Sequence, residues 1–404
     1  MKLKQNSWNR IYLQLPRDRP TEAISRPPYL VDGFFYSSWA SRDDQGIDIM
    51  VLTKLTPDGK AVDTFGDLGT VRIPMPGEPA WWLCFVISDN YIVCGAALRI
   101  NEHFAIFRLD KNSGALDRSF GKQGFKLVRY PAEPDALTAA TDASLDKSEG
   151  YAGSVPQFPD GKLRQAVNSG LAQFDMQGNL DTSFNKGGMR RFFNWQGRNL
   201  FTLEVVARYE GLEHAGFYYC GMHRVGGDDV QAWVGACDKH GAVVASFAEQ
   251  GVWIVKRLPG HPNIAHLSVH SAVQVDDRLY VVGSAGDSGF VFCLKLDGSP
   301  DQSFNGGNAI IFARDDFDRT KAIAVTPHNE GVLVSFVQSH HPSGELPVAI
   351  LRLNHSGQVD STFGNQGWLL TPDFPESNTL LTLEHEGQQV IEVRGREYVA
   401  RYPL

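Results

Sequence analysis

The segment LDKNSGALDRSFGKQGFKLV, Leu109 to Val128, recurs in six variants along the chain, and repetition at fixed internal spacing restricts the fold more than any other feature here. The other copies are LTPDGKAVDTFGDLGTVRI from Leu55, FDMQGNLDTSFNKGGMRRF from Phe174, CDKHGAVVASFAEQGVWIV from Cys237, LKLDGSPDQSFNGGNAIIF from Leu294 and LNHSGQVDSTFGNQGWLLT from Leu353. In every copy a glycine (Gly59, Gly114, Gly178, Gly241, Gly298, Gly357) precedes by six residues a phenylalanine (Phe65, Phe120, Phe184, Phe247, Phe304, Phe363). A hydroxyl residue stands directly before each Phe. Four residues after it comes Gly69, Gly124, Gly188, Gly251 or Gly367, with Asn308 in the fifth copy; Asn is the next residue to tolerate positive φ.

Glycine, then short side chains that bond their own backbone, then glycine again is the chemistry of a tight connection between antiparallel strands. The Phe is predicted to plug that connection into the core. Asp117, Asp181, Asp301 and Asp360 follow the first glycine by three residues, Asp63 follows by four, and Val244 takes the place in the fourth copy. A carboxylate that valine can replace reads as a turn cap. The run Asp110, Asn112, Gly114, Asp117 has the outline of a calcium loop, but no other copy keeps its oxygen ligands.

Successive repeat phenylalanines lie about 60 residues apart, room for four short strands and their turns. The second unit shows them: AWWLCFVI, YIVCGAA, HFAIFRL and, after the glycine connection, FKLVRY. Four-stranded sheets repeated at this period predict a β-propeller. The pattern L-D-x-S-F-G-x-x-G at this period resembles the bacterial delta-60 repeat family over nearly the whole chain. That resemblance implies a propeller-like domain, usually of unassigned function and often met in surface or secreted bacterial proteins. It supplies no catalytic residues.

Third strands number one more than the Phe motifs: IDIMVLTKL, HFAIFRL, SGLAQF, VQAWVGAC, FVFCLKL, PVAILRL and EYVARYPL. The last lacks a fourth strand, and Asn9 to Leu15 has the alternation to supply it beside Tyr398 to Tyr402. The fold class is therefore all-β, a seven-bladed β-propeller whose last blade is closed by the N-terminal strand, which removes two exposed sheet edges. Blades of one domain, 1–404, fall at about 24–73, 79–128, 136–192, 199–255, 264–312, 319–370 and 378–404 plus 9–15. The third is poor in β-branched residues between Thr138 and Gln173, and a ragged second strand is expected there.

Composition narrows the function classes. A chain of 404 residues, 42% hydrophobic and 21% charged, with net charge −8 and scattered cations, argues against nucleic acid as main partner. No apolar run approaches the about 20 residues of a membrane span. The N-terminus lacks the apolar core of a signal peptide, and the five cysteines sit in strand-like runs without C-x-x-C spacing. A cytoplasmic location is expected, or export without a cleaved signal peptide. No cofactor or metal is expected, and no catalytic residues are assigned.

In a propeller, the links from fourth strand to next first strand emerge with the second-to-third loops on one face. The links here differ from one another, as a recognition surface on a constant scaffold does. They nominate ligand-binding residues: Trp195 and Arg198 in NWQGRN, His261 in RLPGHPNI, and Asp315, Asp316 and Arg319 in ARDDFDR. Trp195 with Arg198 offers an aromatic and guanidinium platform for a sugar or peptide, against a plain packing role between blades. Asp315, Asp316 and Asp318, flanked by Arg314 and Arg319, read as an ion-pair network before a cation site. His340, His341 and Glu345 form half of a zinc pattern on a loop where adjacent histidines point apart. Asp43, Asp44, Asp228 and Asp229 read as turn residues. His266, His270 and His328 fall in or near innermost strands, where propeller hydrolases and lyases place their sites. The chain thus reads as a binding or scaffold module for a protein or glycan partner, with a metal-assisted hydrolase or lyase at the channel mouth as the alternative.

Overall fold

The computed structural model describes residues 9–16, 28–43, 45–77, 84–98, 103–129, 160–167, 170–192, 195–196, 198, 200–226, 229–312, 320–329, 331–338, 348–371, 379–385, 387–394 and 398–404. They form seven antiparallel sheets arranged as a ring. Blade 1 consists of Tyr29–Val31, Phe34–Arg42, Asp48–Leu55 and Thr70–Pro74; blade 2 of Cys84–Ile87, Tyr91–Ala97, His103–Asp110 and Phe125–Arg129. Blade 3 contributes Leu163–Val167, Gly170–Phe174 and Met189–Arg191, and blade 4 Leu200–Glu210, Glu213–Gly226, Asp229–Asp238 and Val252–Val255. Blade 5 is Leu267–Val275, Arg278–Ala285, Ser288–Lys295 and Ile310–Phe312, and blade 6 Thr320–His328, Gly331–Gln338, Val348–Asn354 and Trp368–Thr371. Blade 7 takes Thr379–His385, Gln388–Arg394 and Tyr398–Pro403, and its outermost strand is Asn9–Tyr12. The protein is a seven-bladed β-propeller.

Blade 3 departs from the sequence expectation. Leu163–Val167 pairs residue for residue with Gly170–Phe174, so its second strand is short and regular rather than ragged. The stretch that would supply its innermost strand lies outside the described residues.

Strands alternate their side chains between two faces, and here both faces are apolar, so each sheet must be covered twice. The buried clusters show how. All but the small cluster of Trp39, Ile49 and Val51 are shared by two consecutive blades: Tyr36, Met50 and Leu52 of blade 1 pack on Phe85, Ile92 and Phe107 of blade 2. Phe104 and Ile106 of blade 2 meet Leu163, Ala172 and Phe174 of blade 3, and the pattern continues around to blade 7. The circle closes where Val399 of blade 7 and Leu13 pack on Phe35 and Leu55 of blade 1.

The repeat phenylalanines sit in these shared interfaces, at 0 to 6% exposure. The first five are capped by the glycine turn of the following repeat. A β-carbon on Gly178 would stand 2.7 Å from Phe120 Cζ, and Gly114, Gly241, Gly298 and Gly357 approach Phe65, Phe184, Phe247 and Phe304 in the same way. The residue after each Phe adopts left-handed backbone (Gly66, Gly121, Asn185, Ala248, Asn305, Gly364). That turns its N–H toward the next repeat: Gly66 donates to Ser113 O (2.7 Å), Asn185 to His240 O (2.6 Å), Ala248 to Asp297 O (2.7 Å) and Asn305 to Ser356 O (3.0 Å). Asp117, Asp181, Asp301 and Asp360 cap their turns, as read from sequence. Asp117 Oδ1 accepts the Ser119 N–H and hydroxyl; that hydroxyl and then the Arg108 guanidinium hold its carboxyl below the usual range.

At the seam the N-terminal segment replaces a preceding repeat. Asn9, Arg10, Ile11 and Tyr12 pair with Arg401, Ala400, Val399 and Tyr398. Gly59, the first turn glycine, lies against Ile11 and Tyr12, and Gln14 donates its N–H to Gly59 O at 2.8 Å. A buried triad reinforces the join. Glu392, fully buried, accepts from Arg394 Nε (2.7 Å) and Arg401 Nε (2.8 Å), and Arg394 reaches across to Pro28 O (3.3 Å) and the Phe35 ring.

Two outcomes follow. Deleting residues 1–15 leaves Tyr398–Pro403 as a bare sheet edge and removes Leu13 from the closing cluster, so the truncated chain aggregates or melts well below the full-length protein in a thermal scan. Phe120→Ala empties a shared interface and lowers unfolding free energy by about 3–5 kcal/mol in urea titration, without change in far-ultraviolet dichroism.

Candidate functional site

The two faces of the ring differ in what their backbone is doing. On one, the glycine connections dock onto one another by the recurring hydrogen bonds above, and their polar groups are largely satisfied within the protein. The opposite face carries the links and the second-to-third loops. Of the nominated residues, Asp315, Asp316 and Arg319 lie outside the described residues, as do His340, His341 and Glu345.

Trp195 and Arg198 flank a tight turn in which Arg198 donates its N–H to Trp195 O at 2.9 Å. Trp195 is half-buried, packs into the interface of blades 3 and 4, and holds its ring 5.7 Å from that of Phe192. Arg198 is half-buried beside it. His261 belongs to a link that folds back on the rim. Leu258 is buried between blades 4 and 5, Ala309 donates its N–H to Pro259 O (3.0 Å), and His261 Nε2 donates to Ala309 O (3.0 Å). The imidazole thus fastens the link to the outer edge of blade 5. Asp43, in a second-to-third loop, caps its own turn by accepting from the N–H groups of Gln45 and Ile47.

The three histidines of the inner strands are not brought together. His266 is exposed at the end of its link, with φ of 59°. His328 ends the first strand of blade 6 on the glycine-connection side, 3.4 Å from the Arg352 guanidinium. It lines a cleft of about 560 Å³ with Asn329, Arg352, Gln388 and Gln389. Leu404 closes that cleft at the register of Asn354, so the space corresponds to the one the next repeat's glycine turn fills at earlier junctions.

His270 alone occupies an inner strand away from its ends. It is the extra residue of a bulge between Val269 and Ser271, and the first strands of blades 4 and 6 bulge at the corresponding places, Thr202/Glu204 and Ala322/Ala324. Bulges raise local twist, which suits strands converging on an axis. His270 Nε2 lies 2.9 Å from Ser284 Oγ. Desolvation by burial, and then the Lys321 ammonium, push its pKa down to about 3. The ring is therefore neutral at physiological pH. Among the described residues no three His, Cys, Asp or Glu side chains are placed to share a metal ion. All five cysteines are buried free thiols, and no helix among the described residues is long and apolar enough to cross a membrane.

The depressed His270 has a signed consequence for stability. The unfolded chain takes up a proton near pH 6.5 while the folded ring does not, so this group's contribution is lost as pH falls from about 6.5 toward 3. His270→Gln keeps a polar partner for Ser284 and takes up no proton. Its melting temperature should fall less between pH 7.5 and pH 5 than that of the wild type; parallel declines would show that His270 titrates normally.

A sequence model of the family described as "Domain of unknown function (DUF5122) beta-propeller" matches residues 274–304, which span the second and third strands of blade 5 and its connection through Phe304. No curated protein matches the chain. Among solved structures it is similar to the Dos1 propeller, with 12% identity over 94% of this chain and 81% of that one and a TM-score of 0.42. It is similar to oligopeptidase B from Trypanosoma brucei at 12% identity, covering 95% of this chain but 46% of the other, with a TM-score of 0.39. A GH43_1 enzyme from Xanthomonas citri is similar at 12% identity, over 84% and 91% of the two chains, with a TM-score of 0.29.

Proposed function

We propose that this single-domain propeller, of the bacterial delta-60 kind, is a binding or scaffold module that recognises a protein or glycan partner through the variable links and second-to-third loops of one face. The observation that carries this reading is the contrast between the faces. The glycine-connection face repeats one sequence six times and uses its backbone groups to hold neighbouring blades. The links differ from one another in sequence: NWQGRN and ARDDFDR share no motif with each other or with PMPGEPA and RLPGHPNI, which have only P-G-x-P in common. Divergent loops on a stiff ring are suited to recognition.

Within that face, Arg198, Asp315, Asp316 and Arg319 are the side chains assigned to the partner. Trp195 supports Arg198 from the interface of blades 3 and 4, and His261 shapes its link, so both act by position. Carboxylates and guanidinium groups in such links suit a polar partner surface or a glycan's hydroxyls.

Arg198→Ala, or Asp315→Ala with Asp316→Ala, should weaken capture of a partner found by pull-down while shifting the melting temperature little, since loop positions away from the core contribute little to folding. Exposed changes on the other face, Lys239→Ala and His240→Ala, should leave capture intact. Loss of capture only from the Lys239 and His240 changes would assign binding to the wrong face. Trp195→Ala serves as a contrast, because a half-buried ring is removed and the melting temperature should drop.

A further inference from the structure

A groove of about 1020 Å³ runs along the outer rim beside Phe125–Arg129, the outermost strand of blade 2. Its charged lining is Arg118, Lys122, Lys126 and Arg129, with no carboxylate among the described residues that line it, in a chain whose net charge is −8. Leu127 stands in the middle, 54% exposed. Lys126 also reaches Asn179 Oδ1 of the next repeat (2.9 Å) and the Phe120 ring, while no carboxylate among the described lining residues answers the other three cations.

The backbone there is open as well. Phe125 donates its N–H to Lys122 O (3.1 Å) and accepts from Lys122 N–H (2.7 Å), so both its polar groups face away from His103–Asp110. Antiparallel ladders alternate, so the N–H and C=O of Leu127 and Arg129 face outward too, while Lys126 and Val128 face the sheet. The corresponding edge of blade 5 is covered at its start by polypeptide of the chain's own link. Ala309, at the register of Phe125, exchanges hydrogen bonds with Pro259 and His261 of the link lying across it.

We propose that the outer strand of blade 2 binds an acidic, extended segment of a partner protein as a fifth strand, with its carboxylates set over the four cations and one apolar side chain over Leu127. Main-chain bonds to Leu127 and Arg129 would give adhesion, and the charge row would select acidic sequences. This surface runs along the rim and meets the link face only at Pro74, Met75 and Pro76; its test rests on Arg118, Lys122 and Leu127, none of them in a link, and so stands or falls independently of the function proposed above.

Fluorescence anisotropy with the full chain tests it. The probes are a labelled peptide alternating Asp or Glu with Val or Leu, a version with lysine for each acid, a backbone N-methylated copy of the acidic peptide, and a single-stranded DNA of matching charge. The acidic peptide should bind, more weakly as salt rises, and the other three should not. Arg118→Glu with Lys122→Glu should weaken binding at least about tenfold. Leu127→Pro should do the same, since it removes an outward N–H and leaves all four cations, provided its melting curve matches the wild type. Equal binding of the N-methylated peptide would overturn strand addition even if the proline variant fails to fold. DNA binding as tightly as the peptide would reduce the surface to a polyanion patch, and no binding by the acidic peptide would refute the proposal.

Discussion

The ring depends on one contact made repeatedly: a phenylalanine from one repeat, capped by the glycine turn of the next. Because the cap comes from the neighbour, no blade encloses its own core. Phe120 is buried only when Gly178 arrives with blade 3, and Phe304 only when Gly357 arrives with blade 6. Burying each phenyl side chain is worth about 1.5–3 kcal/mol, and the accompanying backbone bond fixes how far one blade is rotated from the next. The left-handed residue after each Phe is the hinge of this arrangement. In the fourth copy Ala248 fills it at φ of 45° and still makes the bond to Asp297 O, so the geometry holds against the mild strain of a β-carbon there.

The seven sheets and the closing strand were legible in the sequence because both rest on local signals, alternating apolar residues and turn glycines at constant spacing. What the Phe touches was not legible. Its cap lies in another repeat, and spacing within a copy carries no information about packing between copies. Blade 3 reads as weak for a related reason. LRQAV holds few β-branched residues, yet Arg164 and Gln165 are nearly fully buried there; Arg164 is held by Asp160 and lies 5.4 Å from the Phe217 ring of blade 4. Tertiary pairing supplies what propensity withholds.

Candidate site residues were harder to read, since residue type does not reveal whether a loop stands free or lies back on the rim. His261 and Trp195 look alike as exposed recognition residues in sequence, and both are half-buried in contacts with the blades. Two further features have their signals in the sequence. RSFGKQGFKLVR places four cations around the outer strand of blade 2, a concentration hidden by its overlap with the repeat motif. Glu392 and Arg394, two apart in a strand of apolar residues, share one face, and that face is inward.

The seam also has a bearing on how the ring is made in time. Asn9–Tyr12 pairs with Tyr398–Arg401, residues from opposite extremes of the sequence, whereas the described pairs in blades 1 to 6 join neighbouring segments. Contacts of such separation are slow to form, because the whole intervening chain must already be compact before its ends can meet. Assembly can thus run blade by blade from Tyr29 onward, each new turn capping the Phe before it, and finish with a circularisation step. Until that step the Glu392 triad has one side open to water, which spares its charges full desolvation while they find one another.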